Sequence, residues 1–449
     1  MDSYNTEDAI FALATAWAKS AIAVVRVSGE GCIRTLSKAV RSKKDINTLP
    51  GNCAHYCALV NPADGKVVDD VVLTLYRDGH GYTGEEALEI SCHGGLQVIR
   101  SVLELMASIG FRQALPGEFT LRAFLHGKMD LTRAEAVNEL INAQGRTGRA
   151  MALRRLNGAL FKRISTIKAI IVDIMSIVEV QLDYSDDEIG EDLTFPMAKL
   201  DDAVGALKGI ADSFSTGRLY SQGARIVLAG PSNAGKSSLF NYFLKEDRSI
   251  VSEQKGTTRD FIEAMCEIRG IPVRLYDTAG FRDLSESEIE EEGIRRSRSL
   301  LEAADIIIYL VDSTDTSGID NKVISDPRCI AVLNKADLRE LHKDGFLNLS
   351  VTTGLGFEGL CDEIASRLTS DASTSDESAR VIESERQKEN LLRAVQALEA
   401  AKAAVEASLP LDLVSLDIQE ALEALGELTG EVTTDDILDR IFGSFCVGK

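Results

Sequence analysis

One apolar strand run that empties straight into a glycine-framed loop ending in Lys-Ser limits this chain's possible folds more than any other feature. Arg225 to Ala229 (RIVLA) leads into Gly230-Pro231-Ser232-Asn233-Ala234-Gly235-Lys236-Ser237, and a helical run from Ser238 to Leu244 follows. The spacing is GxxxxGK[ST] set between strand and helix. Its glycines let backbone N–H groups surround a phosphate, Lys236 reaches the outer phosphates and the Ser237 hydroxyl suits Mg²⁺. A strand that is apolar throughout needs parallel neighbours and covering helices. Such neighbours follow in VRLYDTAG, IIIYLVD and CIAVLNKAD, so the segment 220–370 reads as a parallel sheet wrapped by helices.

Three more motifs arrive in the order a GTPase requires. Asp277-Thr278-Ala279-Gly280 follows a strand, so Asp277 can hold a Mg²⁺ water and the Gly280 amide can meet the γ-phosphate. Asn334-Lys335-Ala336-Asp337 also follows a strand, and its Asp carboxylate can accept two hydrogen bonds from a guanine edge, which adenine cannot supply. Ser350-Val351-Thr352 sits where a Ser-Ala-Lys loop usually backs the base, with only Ser350 in agreement. Together these motifs point to a guanine nucleotide. Phe281 occupies the place of the water-orienting Gln, and Phe cannot polarise water, so hydrolysis needs another device. The sequence offers the acidic run Glu286 to Glu292, Asn233 in the phosphate loop, and Gly256-Thr257-Thr258-Arg259-Asp260.

The rest of the chain has a different texture. Up to about residue 125, short apolar runs alternate with turn residues and the pattern reads as α+β, with strands at Ala21–Val27, Val67–Tyr76 and Glu86–Cys92 and a helix at Ile99–Ile109. Beyond Leu121 a helical period takes over. Thr132 with Glu135 three residues on reads as a capping box, and further helices are expected to about Val180 and from Met197 to Phe214. The strand period begins at about Gly217 and ends in the polar stretch Ser370 to Ala379, a linker. Ala/Leu/Glu-rich helices then close the chain. They are too few to bury their own apolar stripes, so they are expected to pack with the first helical block. The α/β domain is then an insertion, with boundaries at 1–120, 121–216, 217–372 and 373–449.

Charge narrows the function classes. The net charge of −21 argues against a basic nucleic-acid coat, yet from Arg146 to Lys168 there are seven basic residues and no acid. That stretch either contacts phosphate or pairs with the acidic C-terminal helices. No apolar run of membrane-spanning length occurs, the N-terminus lacks the order of a secretory signal, and the scattered cysteines read as reduced thiols. Cys53, His55 and Cys57 lack the second pair that a zinc site would need. A cytoplasmic protein without a membrane span is expected.

The sequence resembles the tRNA-modification GTPase family called MnmE or TrmE along nearly its whole length. The resemblance rests on the nucleotide motifs together with GYTGEEALEISCHGG (81–95), PGEFTLRAFLHGKMDLTRAEAV (116–137), GTTRD (256–260) and GEVTTDDILDRIFGSFCVGK (430–449). It implies a multidomain fold: an α+β folate-binding N-terminal domain that forms a homodimer, an all-α helical domain, and an inserted Ras-like α/β P-loop GTPase domain. It implies a complex with an FAD-dependent partner of the MnmG/GidA family. Together such proteins add an aminomethyl or carboxymethylaminomethyl group to C5 of the wobble uridine of certain tRNAs, using a one-carbon unit from 5-formyltetrahydrofolate or a related tetrahydrofolate. Other classes consistent with the motifs are a ribosome-assembly switch GTPase without modification chemistry and a folate-dependent one-carbon transferase with a regulatory GTPase.

Carried across residue by residue, the resemblance implies GTP contacts from Asn233, Ala234, Gly235, Lys236, Ser237, Ser238, Ser252, Thr257, Thr258, Asp277, Thr278, Ala279 and Gly280, and around the base from Asn334, Lys335, Asp337, Ser350, Val351 and Thr352. Asn233, Ser252, Gln254 (through its carbonyl) and Thr257 would ring a K⁺ that enters when two GTPase domains meet, and Ser237 and Thr258 would bind Mg²⁺. Catalysis would rest on Asn233, Lys236, Thr258 and Glu290, the last orienting water through a bridging molecule. One extra residue between Asp277 and Gly293 leaves Glu288 as its competitor. Arg26, Glu89, Lys128 and Lys449 match the folate contacts, a carboxylate for a pterin edge and cations for a glutamate tail. Cys446 matches the family's terminal Cys, with modification chemistry and simple packing both open. Ala16-Trp17-Ala18-Lys19-Ser20 replaces the family's Pro/Gly-rich loop after the first strand.

Overall fold

A computed structural model describes residues 6–143, 145–183, 194–246, 262–277, 300–316, 319–339, 341–369 and 382–449. Two compact units divide it, Met1–Asn138 with Glu423–Lys449, and Glu139–Leu422.

The first unit is built on a seven-stranded sheet of order β3-β4-β5-β6-β2-β1-β7. The strands are β1 (Ile10–Leu13), β2 (Ile22–Ser28), β3 (Val40–Arg41), β4 (Cys53–Val60), β5 (Val67–Tyr76), β6 (Ala87–His93) and β7 (Arg112–Gln113). Alternation decides what each face carries. Ala23, Val25 and Val27 of β2, with Leu88, Ile90 and Cys92 of β6, enter a core shared with Ile33 and Leu36 of α1 (Cys32–Ser37) and Ile99, Val102 and Met106 of α2 (Leu96–Ser108). The same period turns Arg26 and Glu89 to the opposite face, where antiparallel register makes them direct neighbours.

Helix α3 (Glu118–Leu125) is buried from Glu118 to Ala123, charged residues included. Arg122 is fully buried because Glu118 and Glu85 receive its guanidinium at 3.0 and 3.1 Å. The start of α4 (Leu131–Asn142) differs from the expected capping box. Asp130, not Thr132, caps it: Asp130 Oδ1 accepts the Arg133 N–H at 3.1 Å and the Thr132 hydroxyl at 2.5 Å. A carboxylate at a helix N-terminus gains from the dipole as well as the hydrogen bond, so it takes the position from a hydroxyl. The chain's last helix, Asp435–Phe442, packs on α3, and beyond it the Phe119 N–H donates to the Lys449 carbonyl at 3.2 Å.

The second unit combines helices with an α/β sheet. The helical period expected from Arg146 to about Val180, with Gly158 as one of its weak points, divides at Asn157-Gly158 into α5 (Arg146–Leu156) and α6 (Ala159–Asp183). Leu160, Ile164, Ile167, Ile171, Ile174 and Val178 form one buried stripe on α6, each side chain contributing about 1.5–3 kcal/mol of burial. Helices α7 (Met197–Asp212) and α8 (Phe214–Gln222) follow, so the strand period starts at Gly223 rather than Gly217. Gly217 is tolerated inside α8 as a buried small residue. Helix Glu385–Glu406 packs on α7, as the shortage of apolar surface in the final helices required.

The sheet has the order β13-β12-β11-β8-β10-β9. Its strands are β8 (Ala224–Ala229), β9 (Ile262–Ile268), β10 (Ile271–Asp277), β11 (Ile306–Asp312), β12 (Cys329–Asn334) and β13 (Phe346–Asn348). All neighbours are parallel except β9 with β10. Apolar clusters lie on both faces of β8, β11 and β12, which is why those strands read as unbroken apolar runs.

One buried charge ties the discontinuous helical part together. Arg155 of α5 is buried, with Nη2 2.7 Å from Glu139 Oε2 and bonded also to Glu383 Oε1. It joins residues on both sides of the inserted sheet. Removing it leaves two carboxylates facing each other out of water. Arg155→Met is expected to destabilise the helical part by about 3–5 kcal/mol, measured as a lower urea midpoint of helical circular dichroism. Adding Glu139→Gln and Glu383→Gln should recover much of the loss.

Candidate nucleotide site and a second polar cavity

Nucleotide chemistry in an open parallel sheet is expected beyond the C-terminal ends of the strands. The loop after β8, Asp277 at the end of β10 and Asn334 at the end of β12 all lie at that end. Two glycines shape the phosphate loop. Gly230 has φ 132°, and a Cβ there would lie 2.1 Å from the Leu310 carbonyl oxygen. Gly235 has φ 97°, and its Cβ would lie 2.2 Å from Asn334 Nδ2. Asn233 also holds a positive φ of 62°. The helix that starts at Lys236, α9 (Lys236–Glu246), aims its N-terminal amides into the loop.

Side chains complete this cradle. Lys236 is buried and donates to the carbonyls of Gly230 and Pro231 at 3.0 and 2.8 Å, which folds its ammonium back over the loop. The Ser237 hydroxyl donates to Asp277 Oδ2 at 2.7 Å, pairing the hydroxyl and carboxylate expected around Mg²⁺. That donor set of oxygens suits a hard cation.

The base-side residues form a second network joined to the first. Asn334 Nδ2 donates to the Ala234 carbonyl at 2.8 Å, while its Oδ1 accepts the Val351 N–H at 3.3 Å. Ser350 donates to Asp337 Oδ1 at 2.6 Å, orienting the carboxylate for a base edge. Lys335, at φ 62°, pairs with Asp312 Oδ2 at 2.5 Å. Burial pushes the Asp312 carboxyl up, but hydrogen bonds from Lys335 and Thr314 outweigh it and hold the group below the ordinary carboxylate range. The motif reading missed Asp312, although its place at the end of the apolar run IIIYLVD marked it. Ser238 is exposed on α9 and Thr352 is exposed beside Val351. Ser252, Gln254, Thr257, Thr258, Thr278, Ala279, Gly280, Glu288 and Glu290 lie outside the described residues.

A separate cavity of about 200 Å³ opens on the sheet of the first unit, lined by Arg26, Ser28, Tyr76, Tyr82, Glu89 and Phe119 among others. Arg26 Nη2 and Nε reach Glu89 Oε1 at 2.9 and 3.1 Å, leaving Oε2 without a hydrogen bond among the described residues. The guanidinium lies 5.3 Å from the Tyr82 ring centroid and 5.8 Å from that of Phe119, and Nη1 reaches the Gly448 carbonyl at 3.4 Å. Burial, with Arg26 beside it, pushes the Lys449 ammonium below the ordinary lysine range against the pull of Glu89 and Cys446. Thus Arg26, Glu89 and Lys449 come together from three distant segments. Lys128 does not line the cavity; its ammonium donates to the Gly79 carbonyl at 3.0 Å. Nor does the Ala16–Ser20 loop line it, and Trp17 is exposed. Cys446 is exposed in the terminal turn. Tyr82 and Phe119 escaped sequence reading because isolated aromatics carry no motif.

Behind this wall Ser28 Oγ bonds Thr83 Oγ1 at 2.6 Å and Glu85 Oε2 at 2.7 Å, and Glu85 receives Arg122. Burial raises the Glu118 carboxyl, but Arg112, the Leu115 N–H and Arg122 together hold it below the ordinary carboxylate range. The pocket wall is therefore backed by paired buried charges rather than by a purely apolar core.

A mainly parallel sheet with a phosphate loop, a hydrogen-bonded Ser–Asp pair and an Asn-Lys-x-Asp loop at one end defines a P-loop GTPase, a GTP-hydrolysing enzyme that binds GTP. A family model described as the MnmE helical domain matches residues 131–446, and one described as the GTP-binding protein TrmE N-terminus matches residues 9–128. The chain is 39% identical to the tRNA modification GTPase MnmE of Treponema denticola, over 99% of both chains. It is 37% identical to that of Carboxydothermus hydrogenoformans, over 99% of this chain and all of the relative. The chain belongs to the MnmE family of tRNA modification GTPases. Among solved structures, the G domain of the T. maritima FeoB iron transporter aligns with 33% of this chain and 99% of its own, at 23% identity and a TM-score of 0.25.

The bridging amide can be tested directly. Asn334→Ala leaves the Ala234 carbonyl and Val351 N–H without their partner, at about 1–3 kcal/mol for a buried unsatisfied group. GDP affinity, read by titration with a fluorescent GDP, is expected to fall about 10- to 100-fold with the fold retained by circular dichroism.

Proposed function

We propose that this chain is a K⁺-dependent GTPase that acts with an FAD-dependent MnmG/GidA-type partner on the wobble uridine of certain tRNAs. The product carries an aminomethyl or carboxymethylaminomethyl group at C5, built with a one-carbon unit from a tetrahydrofolate. The observation that carries this reading is similarity to named tRNA modification GTPases over 99% of the chain. The protein works as a homodimer through its N-terminal domain and in the cytoplasm. None of the described helices is long and apolar enough to cross a membrane.

In this reading Lys236 and the loop amides bind the outer phosphates, and Asp337, held by Ser350, accepts the guanine edge. Ser237 and Thr258 would hold Mg²⁺, with Asp277 holding one of its waters, while Asn233, Ser252, Gln254 and Thr257 would hold K⁺; the two cations would supply positive charge to the phosphates. Glu290, or Glu288 in its place, orients the water that Phe281 cannot. Hydrolysis works by changing which domains meet, not by performing the carbon chemistry. Arg26, Glu89 and Lys449 would hold the folate, with Lys128 at its outer end. At about 200 Å³ the cavity is below the ~300 Å³ where small-molecule sites usually begin, so it suits the ring end of such a ligand.

Of the basic stretch, Arg155 pairs with acids, including Glu383 of the C-terminal segment, whereas Arg146, Arg149, Arg154 and Lys162 are exposed. Reversing Arg155 would therefore test folding rather than binding. Phosphate contact is assigned to the exposed four.

GTP turnover is expected to rise at least about tenfold in KCl over NaCl at equal ionic strength; equal rates would remove the K⁺ assignment. Arg149→Glu with Arg154→Glu should weaken tRNA binding, read by filter binding, and flatten its salt dependence. An unaltered affinity would return the stretch to a structural role.

A further inference from the structure

Arginine crowds the end of the α/β sheet away from the phosphate loop. A cavity of about 420 Å³ is lined there by Arg218 of α8, Arg225 at the start of β8, Arg274 of β10 and Arg367 near the end of helix Phe357–Thr369. Among the described residues Asp305 is the one carboxylate in the lining, and its Oδ2 accepts the Arg225 backbone N–H at 2.7 Å. Arg367 is held in place by Glu363 at 2.7 Å and the Cys329 carbonyl at 2.8 Å. Arg274 lies 3.9 Å from Glu263 and bonds the Tyr276 hydroxyl, while its Nε is buried with no hydrogen-bond partner. Among the described residues, Arg218 and Arg225 have no carboxylate within ion-pairing distance.

Four guanidinium groups around one cavity repel one another locally, and a bound anion relieves that repulsion. Planar guanidinium forks match phosphate oxygens two at a time, and several spaced forks match a ligand with more than one phosphate. The volume lies within the ~300–1,000 Å³ range of small-ligand sites. Arg225 stands at the first turn of β8's path and the phosphate loop at its other end, so this cavity is not part of the nucleotide site. We propose that this cavity is a second anion site that takes a small polyphosphate-bearing ligand. Bound there, the ligand braces α8 against the base of the sheet, where helix passes into strand through Gly223.

The test uses the full-length chain saturated with GDP, without added magnesium, titrated calorimetrically with inorganic pyrophosphate. Saturable binding of one pyrophosphate per chain is expected. Arg218→Ala with Arg225→Ala should raise its Kd at least about tenfold while GDP affinity stays unchanged, which reports an intact sheet. Should the double variant lose GDP binding, Arg218→Ala alone, on an exposed side chain, gives the same reading. Inorganic phosphate in place of pyrophosphate should bind more weakly if two linked phosphates are recognised. No saturable heat with GDP bound, or equal pyrophosphate affinity in the variants, would overturn the site.

Discussion

The amide of Asn334 spans the two loops on which nucleotide recognition depends. One end holds the Ala234 carbonyl of the phosphate loop and the other holds the Val351 N–H beside the base position. Neither loop has a core of its own, and each carries backbone groups that must be satisfied. The absence of a Cβ at Gly235 is what allows that amide to come close enough. The phosphate loop and the Asn-Lys-x-Asp loop are thus a single hydrogen-bonded construction on the ends of β8 and β12.

Elsewhere, buried charge performs the joining that apolar contact cannot specify. Arg155 collects acids from before and after the inserted sheet, and Arg122 collects Glu85 and Glu118 behind the polar cavity. Pairs of this kind add little net stability over an apolar replacement, yet removing one member is severe. They fix which segments meet. The separation of roles is visible in β2, whose alternate residues build a core on one face and present Arg26 on the other.

Much of the nucleotide site was legible because its chemistry is written at fixed spacing after apolar strands. The strands themselves were legible because parallel strands buried on both faces have unbroken apolar sequence. Helix ends were less so: Asp130 took the cap assigned to Thr132, and α8 ran through Gly217, because local hydrogen bonding and burial override a short pattern. Arg26 and Glu89 could be paired only through family likeness, since strand register, not spacing, makes them neighbours. Tyr82, Phe119 and Asp312 gain their roles from tertiary placement alone. The basic stretch divided for the same reason, since helical phase buries Arg155 and exposes Arg154 next to it.

A nucleotide site coupled to tRNA modification makes one demand that no other reading of this chain shares. Nucleosides from the tRNA of cells lacking this gene should be separated and weighed by mass spectrometry, alongside cells complemented with the wild-type gene or with Lys236→Ala. The expected result is loss of the C5 group from wobble uridine in the deletion, recovery with the wild type and no recovery with Lys236→Ala. Fully modified wobble uridine in the deletion strain would contradict the account.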